Sequence, residues 1–274
     1  MPFPVSFLLL QQEAYLIRTS IAQGLTLLRC ANIGEKGQYY GAFFGLSIGL
    51  ERLLKVIIIL DYMAQNGLVP PNRSTLKKYG HNLIALLSSA RDIHPTGPLH
   101  PLATIAPGSI EYDILSHLSD FAEACGRYAN LDALASGNPP QADPLAVWKI
   151  ITGRILDEDV SEGKKEQARH EALALAAAHA NIAHVIAHDL NKDPLSLQQW
   201  FEVPRMQELA SGRAIVRVLR ILSPLKQLLE DVNDRVTLET QRRKLREPVA
   251  PFLHEFLDFV RPDERINFRK KRWP

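Results

Sequence analysis

The chain has 274 residues and a formal net charge of +2, with 32 Lys and Arg against 30 Asp and Glu. That balance excludes a strongly basic chain that coats nucleic acid by charge alone, and a 46% share of hydrophobic residues excludes a wholly disordered one. Cys30 and Cys125 are the only cysteines, too few for a disulfide framework or a cysteine-built metal site. The longest aliphatic run, residues 56–60, falls far short of the ~20 apolar residues a membrane span needs. No basic residue precedes the apolar stretch 7–10, so a cleaved leader is not expected, and the expected location is the cytoplasm.

Tyr15, Ile17, Ile21, Leu25 and Leu28 recur at helical steps and predict a first helix, broken by Gly34 and Gly37. A second helix is predicted over 39–65. It is apolar on nearly every face, as the central helix of a bundle is. Gly41, Gly45 and Gly49 form a stripe at four-residue steps, where another helix can approach closely. Asn66 and Gly67 close this helix, Pro70 and Pro71 turn the chain, and a third helix is predicted over 76–93. Pro95, Pro98, Pro101 and Pro107 predict an irregular stretch. A fourth helix is predicted from Ser109 to Leu134. Asp143 and Pro144 open a fifth, as an Asp cap followed by a first-turn proline does. Ser161 and Glu162 begin a sixth, alanine-rich to Ala187 and stopped by residues 191–194. Residues 196–222, with an interruption near Val203 and Pro204, and 225–246 predict two more helices, with Pro224 as a kink or a first-turn residue. A short helix over 252–260 and a polar, basic tail over 261–274 complete the chain. No segment alternates with period two, so the expected class is all-α.

Between Tyr39 and Leu87 the residues become more specific. Gly49, Leu50, Glu51, Leu54 and Lys55 lie on one long helix, and Gly80, His81, Asn82 and Leu83 begin the next. This arrangement resembles the HEPN superfamily of helical-bundle proteins over roughly residues 15–134. The resemblance implies an up-and-down bundle over 1–142, and the helical spacing beyond it predicts a helical extension over 143–274. It also implies a homodimer, a role in stress, toxin–antitoxin or phage-defence systems, and an RNA or protein partner. Many such proteins are metal-independent ribonucleases with an arginine, a polar residue and a histidine, four to six residues separating the first and last. Here Arg73 and His81, and likewise Arg246 and His254, leave seven residues between them. After Arg127, Asn130 and Asp132 stand where a histidine is expected. The expectation is therefore a non-catalytic or weakly catalytic protein. The alternatives are a ribonuclease with a non-standard site and a structural scaffold.

The candidate catalytic residues are Glu51, His81, Arg127 and Asn130. Glu51 and Lys55, in the favourable i, i+4 order, make either an ion pair that sets helix register or a polar pocket facing His81. Arg127 and Asn130 share a helix face and either grip an anion or hold a helix end. The candidate nucleic-acid contacts are Arg269, Lys270, Lys271 and Arg272, with Trp273 beside them to stack on a base. A tail with few apolar residues is expected to be removable without harm to the core. His184 and His188, if helical, stand at i, i+4, but the pattern lacks a third ligand, and they read as surface histidines. No metal and no cofactor are expected. There is no Walker-type loop and no G-x-G-x-x-G, and no G-x-S-x-G elbow is expected.

Overall fold

The computed structural model describes residues 3–78, 80–93, 101–123, 129–137, 143–261 and 263–274. Its class is the expected one: 73% of the chain is helical, in ten α-helices among the described residues and with no strand. No helix among them is long and apolar enough to cross a membrane.

Helices α1 (Val5–Cys30) and α2 (Gly37–Gln65) form an antiparallel hairpin. The glycine stripe sets their spacing. A Cβ on Gly45 would lie 2.8 Å from the Ser20 carbonyl oxygen and 3.1 Å from the Gly24 Cα, and one on Gly49 would lie 2.5 Å from Ile21 Cγ1. Gly41 likewise faces Leu27. The stripe is thus filled from within the chain and gives no reason to expect a second copy there. Phe43, Leu46, Leu50, Leu53, Leu54, Ile57 and Leu60 of α2 are fully buried, which makes it the central helix.

The stretch predicted as a third helix is two: α3 (Arg73–Lys78) and α4 (Leu83–Arg91). Gly80 takes a left-handed φ of +57°, and Asn82 starts a new helix by accepting the Ala85 N–H. The predicted fourth helix also stops early. α5 (Ile110–Ala122) ends where Glu123 turns extended, and α6 (Ala129–Ser136) follows separately. α7 (Pro144–Asp159) begins as predicted, with Asp143 accepting from Leu145 N–H.

α8 (Glu162–His179) ends well before the stop expected at residues 191–194. Asp189 organises the chain beyond it. Its Oδ1 accepts the N–H groups of Asn191 and Asp193, and its Oδ2 takes the Lys149 ammonium. Lys36 binds the carbonyls of His188 and Asp189. These ties hold the segment in a folded loop.

The two predicted helices over 196–246 are one: α9, Leu197–Arg242, of 46 residues, with Pro204 and Pro224 inside it. A proline in a helix interior costs about 3 kcal/mol. Here Ile215, Val218, Leu222, Leu225, Leu228, Leu229 and Val232 are fully buried along one face on both sides of Pro224, and their packing offsets that cost. A 3₁₀ turn (Leu253–Leu257) and α10 (Glu264–Arg269) end the fold. One hydrophobic core runs from Leu10 to Trp273 and takes in residues from both halves of the chain.

Candidate functional site

The sequence of α2 builds one composite stripe. Ile48, Glu51, Arg52, Lys55, Val56 and Ile59 fall at steps of three and four, so apolar and charged side chains share a face. That face lines a cleft of about 520 Å³, together with Glu13 of α1, Ala122 of α5 and His81 from the turn before α4. Gly80 makes the turn that carries His81, and Asn82 anchors it by donating to Glu123 at 2.8 Å as well as capping α4.

Glu51 is the hub. Its Oε1 lies 2.7 Å from Lys55 Nζ and 2.9 Å from His81 Nδ1, and its side chain is only 14% exposed. Arg52 is held by Glu13 at 2.6 Å. Each carboxylate therefore has a cation, as partly buried charge requires. The Glu51 oxygen only accepts, so His81 Nδ1 donates to it and Nε2 is the ring nitrogen turned to the cleft's outside. His81 is 72% exposed, which puts its Nε2 within reach of a ligand. A carboxylate-oriented imidazole in a cleft is the arrangement a general acid–base group needs.

Of the sequence-derived candidates, Glu51 and His81 meet in this cleft. Arg127 lies outside the described residues. Asn130 falls on α6, and nothing further is described of its side chain. Arg269 ends α10 and Lys270, Lys271 and Arg272 follow it, but Trp273 is not beside them as a free stacking ring. It is 8% exposed and belongs to the core, with the Trp273 backbone N–H donating to Thr26 Oγ1 at 3.0 Å. His184 and His188 lie beyond the end of α8, so the helical spacing that would put them on one face is lost. Among the described residues no three His, Cys, Asp or Glu side chains gather as a metal site would require.

Gly45-Leu46-Ser47-Ile48-Gly49 does spell G-x-S-x-G, contrary to expectation. It lies inside α2, where Ser47 is fully buried and donates to the Phe44 carbonyl, so it forms no nucleophile elbow. Arg217 joins α9 to Glu111 of α5 and to Glu158 and Asp159 of α7. The hydrogen bond to Asp159 leads the causes that push its pKa up. His117 is buried between Phe43 and Trp148, and that burial lowers its pKa to about 4.

No family model, curated protein or solved structure matches this chain.

Proposed function

We propose that this is a HEPN-like helical-bundle protein of the cytoplasm, homodimeric, that binds RNA through the cleft between α1, α2 and the start of α4. The observation that carries this reading is the convergence of Glu51, Lys55 and His81, with a free imidazole nitrogen beside two cations. A phosphate suits those cations, a ribose hydroxyl suits the His81 nitrogen, and the apolar floor of Ile48, Val56 and Ile59 suits a base face. Stress or phage defence is the setting the family resemblance suggests.

Catalysis in this reading is weak or absent, for a physical reason. Stabilising a phosphoryl transition state takes a cation free to follow the developing charge. Arg52 is engaged by Glu13 and Lys55 by Glu51. The second reading, a metal-independent ribonuclease, is favoured by the Glu51–His81 dyad, in which His81 Nε2 would accept the proton of a 2′-hydroxyl.

Fluorescence anisotropy with a labelled single-stranded RNA tests the proposal. Lys55→Ala and His81→Ala should each weaken binding about tenfold or more, the loss of a charge-assisted hydrogen bond. Cleavage of the same RNA that disappears in His81→Ala would select the ribonuclease reading. Unchanged affinity in both variants removes RNA from the cleft. Capture of a protein partner dependent on Lys55 would then replace it, and lost stability alone would leave a scaffold.

A further inference from the structure

We propose that residues 269–272 form a rigid cationic ridge that binds the phosphate backbone of single-stranded nucleic acid without reading its bases. The proposal rests on the RNA-binding reading of the chain but concerns a different surface from the cleft.

The segment is anchored at both ends. At one end the Phe268 ring covers Gly212 of α9, where a Cβ would come within 2.7 Å of that ring. At the other, the Trp273 side chain is buried and its backbone N–H donates to Thr26 of α1. Between them the Lys271 carbonyl passes Cys30 at the end of α1, and Lys270 is extended (φ −68°, ψ 134°). The aromatic anchors face cations too: Arg213 stacks 4.7 Å from the Phe268 ring centre and Lys270 Nζ stands 5.6 Å from that of Trp273.

Four consecutive basic residues are thus fixed on a short path, and none of them meets a carboxylate among the described residues. Most of the other basic side chains near carboxylates are spoken for: Arg52 by Glu13, Lys55 by Glu51, Arg243 by Glu239. The carboxylates that the neighbouring elements supply are engaged as well, Glu208 with Arg29 and Glu264 with Arg220. Unpaired cations repel one another, and an anchored backbone cannot spread them. A linear polyanion relieves that repulsion, and the anchoring lowers the ordering cost of binding it. Because Trp273 is buried, base stacking does not contribute and binding is insensitive to sequence.

The test is the triple variant Arg269→Gln, Lys271→Gln, Arg272→Gln, which keeps Phe268, Lys270 and Trp273 in place. Anisotropy titrations use oligouridine and oligoadenosine over a range of salt. Wild type should bind both alike. The triple variant should bind at least tenfold more weakly at low salt. Its log–log salt slope should be shallower by about 2, since each phosphate neutralised on a single strand contributes ~0.7. Its thermal unfolding should match wild type. An unchanged affinity and slope in the triple variant would overturn the ridge while leaving the cleft reading intact if Lys55→Ala still weakens binding. The reverse result, with Lys55→Ala silent and the triple variant impaired, upholds the ridge and removes the cleft. Binding to vesicles of anionic phospholipid with none to either oligonucleotide would overturn the ridge in favour of a membrane surface.

Discussion

Arg217 meets Asp159 through two parallel hydrogen bonds, Nε to Oδ2 at 2.8 Å and Nη2 to Oδ1 at 2.6 Å. The same guanidinium reaches the buried Glu111 at 3.1 Å, so one side chain ties α9 to α7 and α5. Arg217→Leu should destabilise the protein by about 3 kcal/mol, because it leaves Glu111 as an uncompensated buried charge. Arg220, 3.7 Å from Glu111, softens the loss. Urea denaturation measures it. Adding Glu111→Leu should recover much of the stability, and a double variant no better than the single would show that the charge is not the cause.

Two glycines on different helices should respond oppositely to alanine. Gly49→Ala drives a methyl group into Ile21 and should cost about 1–3 kcal/mol, as overpacking does. Gly153, inside α7, has nothing within 4 Å of a built Cβ, so Gly153→Ala should stabilise by about 0.5–1 kcal/mol. Thermal unfolding of the pair gives both signs in one experiment.

Stability should depend on pH through His117, whose ring stands edge-on to Phe43 at 4.5 Å. Its pKa is about 4 in the fold against an ordinary 6.5, because burial penalises the charged ring. Below pH 6.5 the unfolded chain takes up a proton that the folded chain refuses. The contribution of neutral His117 is therefore complete above pH 6.5 and falls away towards pH 4, by about 3 kcal/mol in all. Denaturation at pH 7.5 and pH 4.5 should show that slope in wild type and a much flatter one in His117→Leu.

The C-terminal segment should prove structural as well as charged. Trp273→Ala should cost about 3–5 kcal/mol, as core tryptophans do, and deleting residues 269–274 should cost at least as much. Circular dichroism during thermal unfolding reads both. A deletion that melts like wild type would show that the burial of Trp273 adds little.

The Glu51–His81 pair was largely legible in the sequence. Glu51 and Lys55 are local neighbours on a helix, and a short turn brings the next helix back antiparallel, so His81 had few places to go. Arg52 was legible only as a charge, since Glu13, its partner, lies 39 positions away on another helix. Gly41, Gly45 and Gly49 announced a close approach without naming the neighbour.

All-α character, the central place of α2, and the starts of α5 and α7 are local properties. They follow from apolar spacing and from single capping side chains such as Ser109 and Asp143, and the sequence determined them. Tertiary structure decided where helices do not stop and where they do. Pro224 should have parted α9, but apolar residues buried on both sides outweigh one missing hydrogen bond. Ala-rich residues after His179 should have continued α8, but Asp189, Lys149 and Lys36 bind that chain into a loop through partners distant in sequence. Trp273 looked like the ring of a basic tail until Thr26 and the space beside α1 received it. In each case the deciding energy is burial or pairing between residues far apart in the chain, which no local pattern contains.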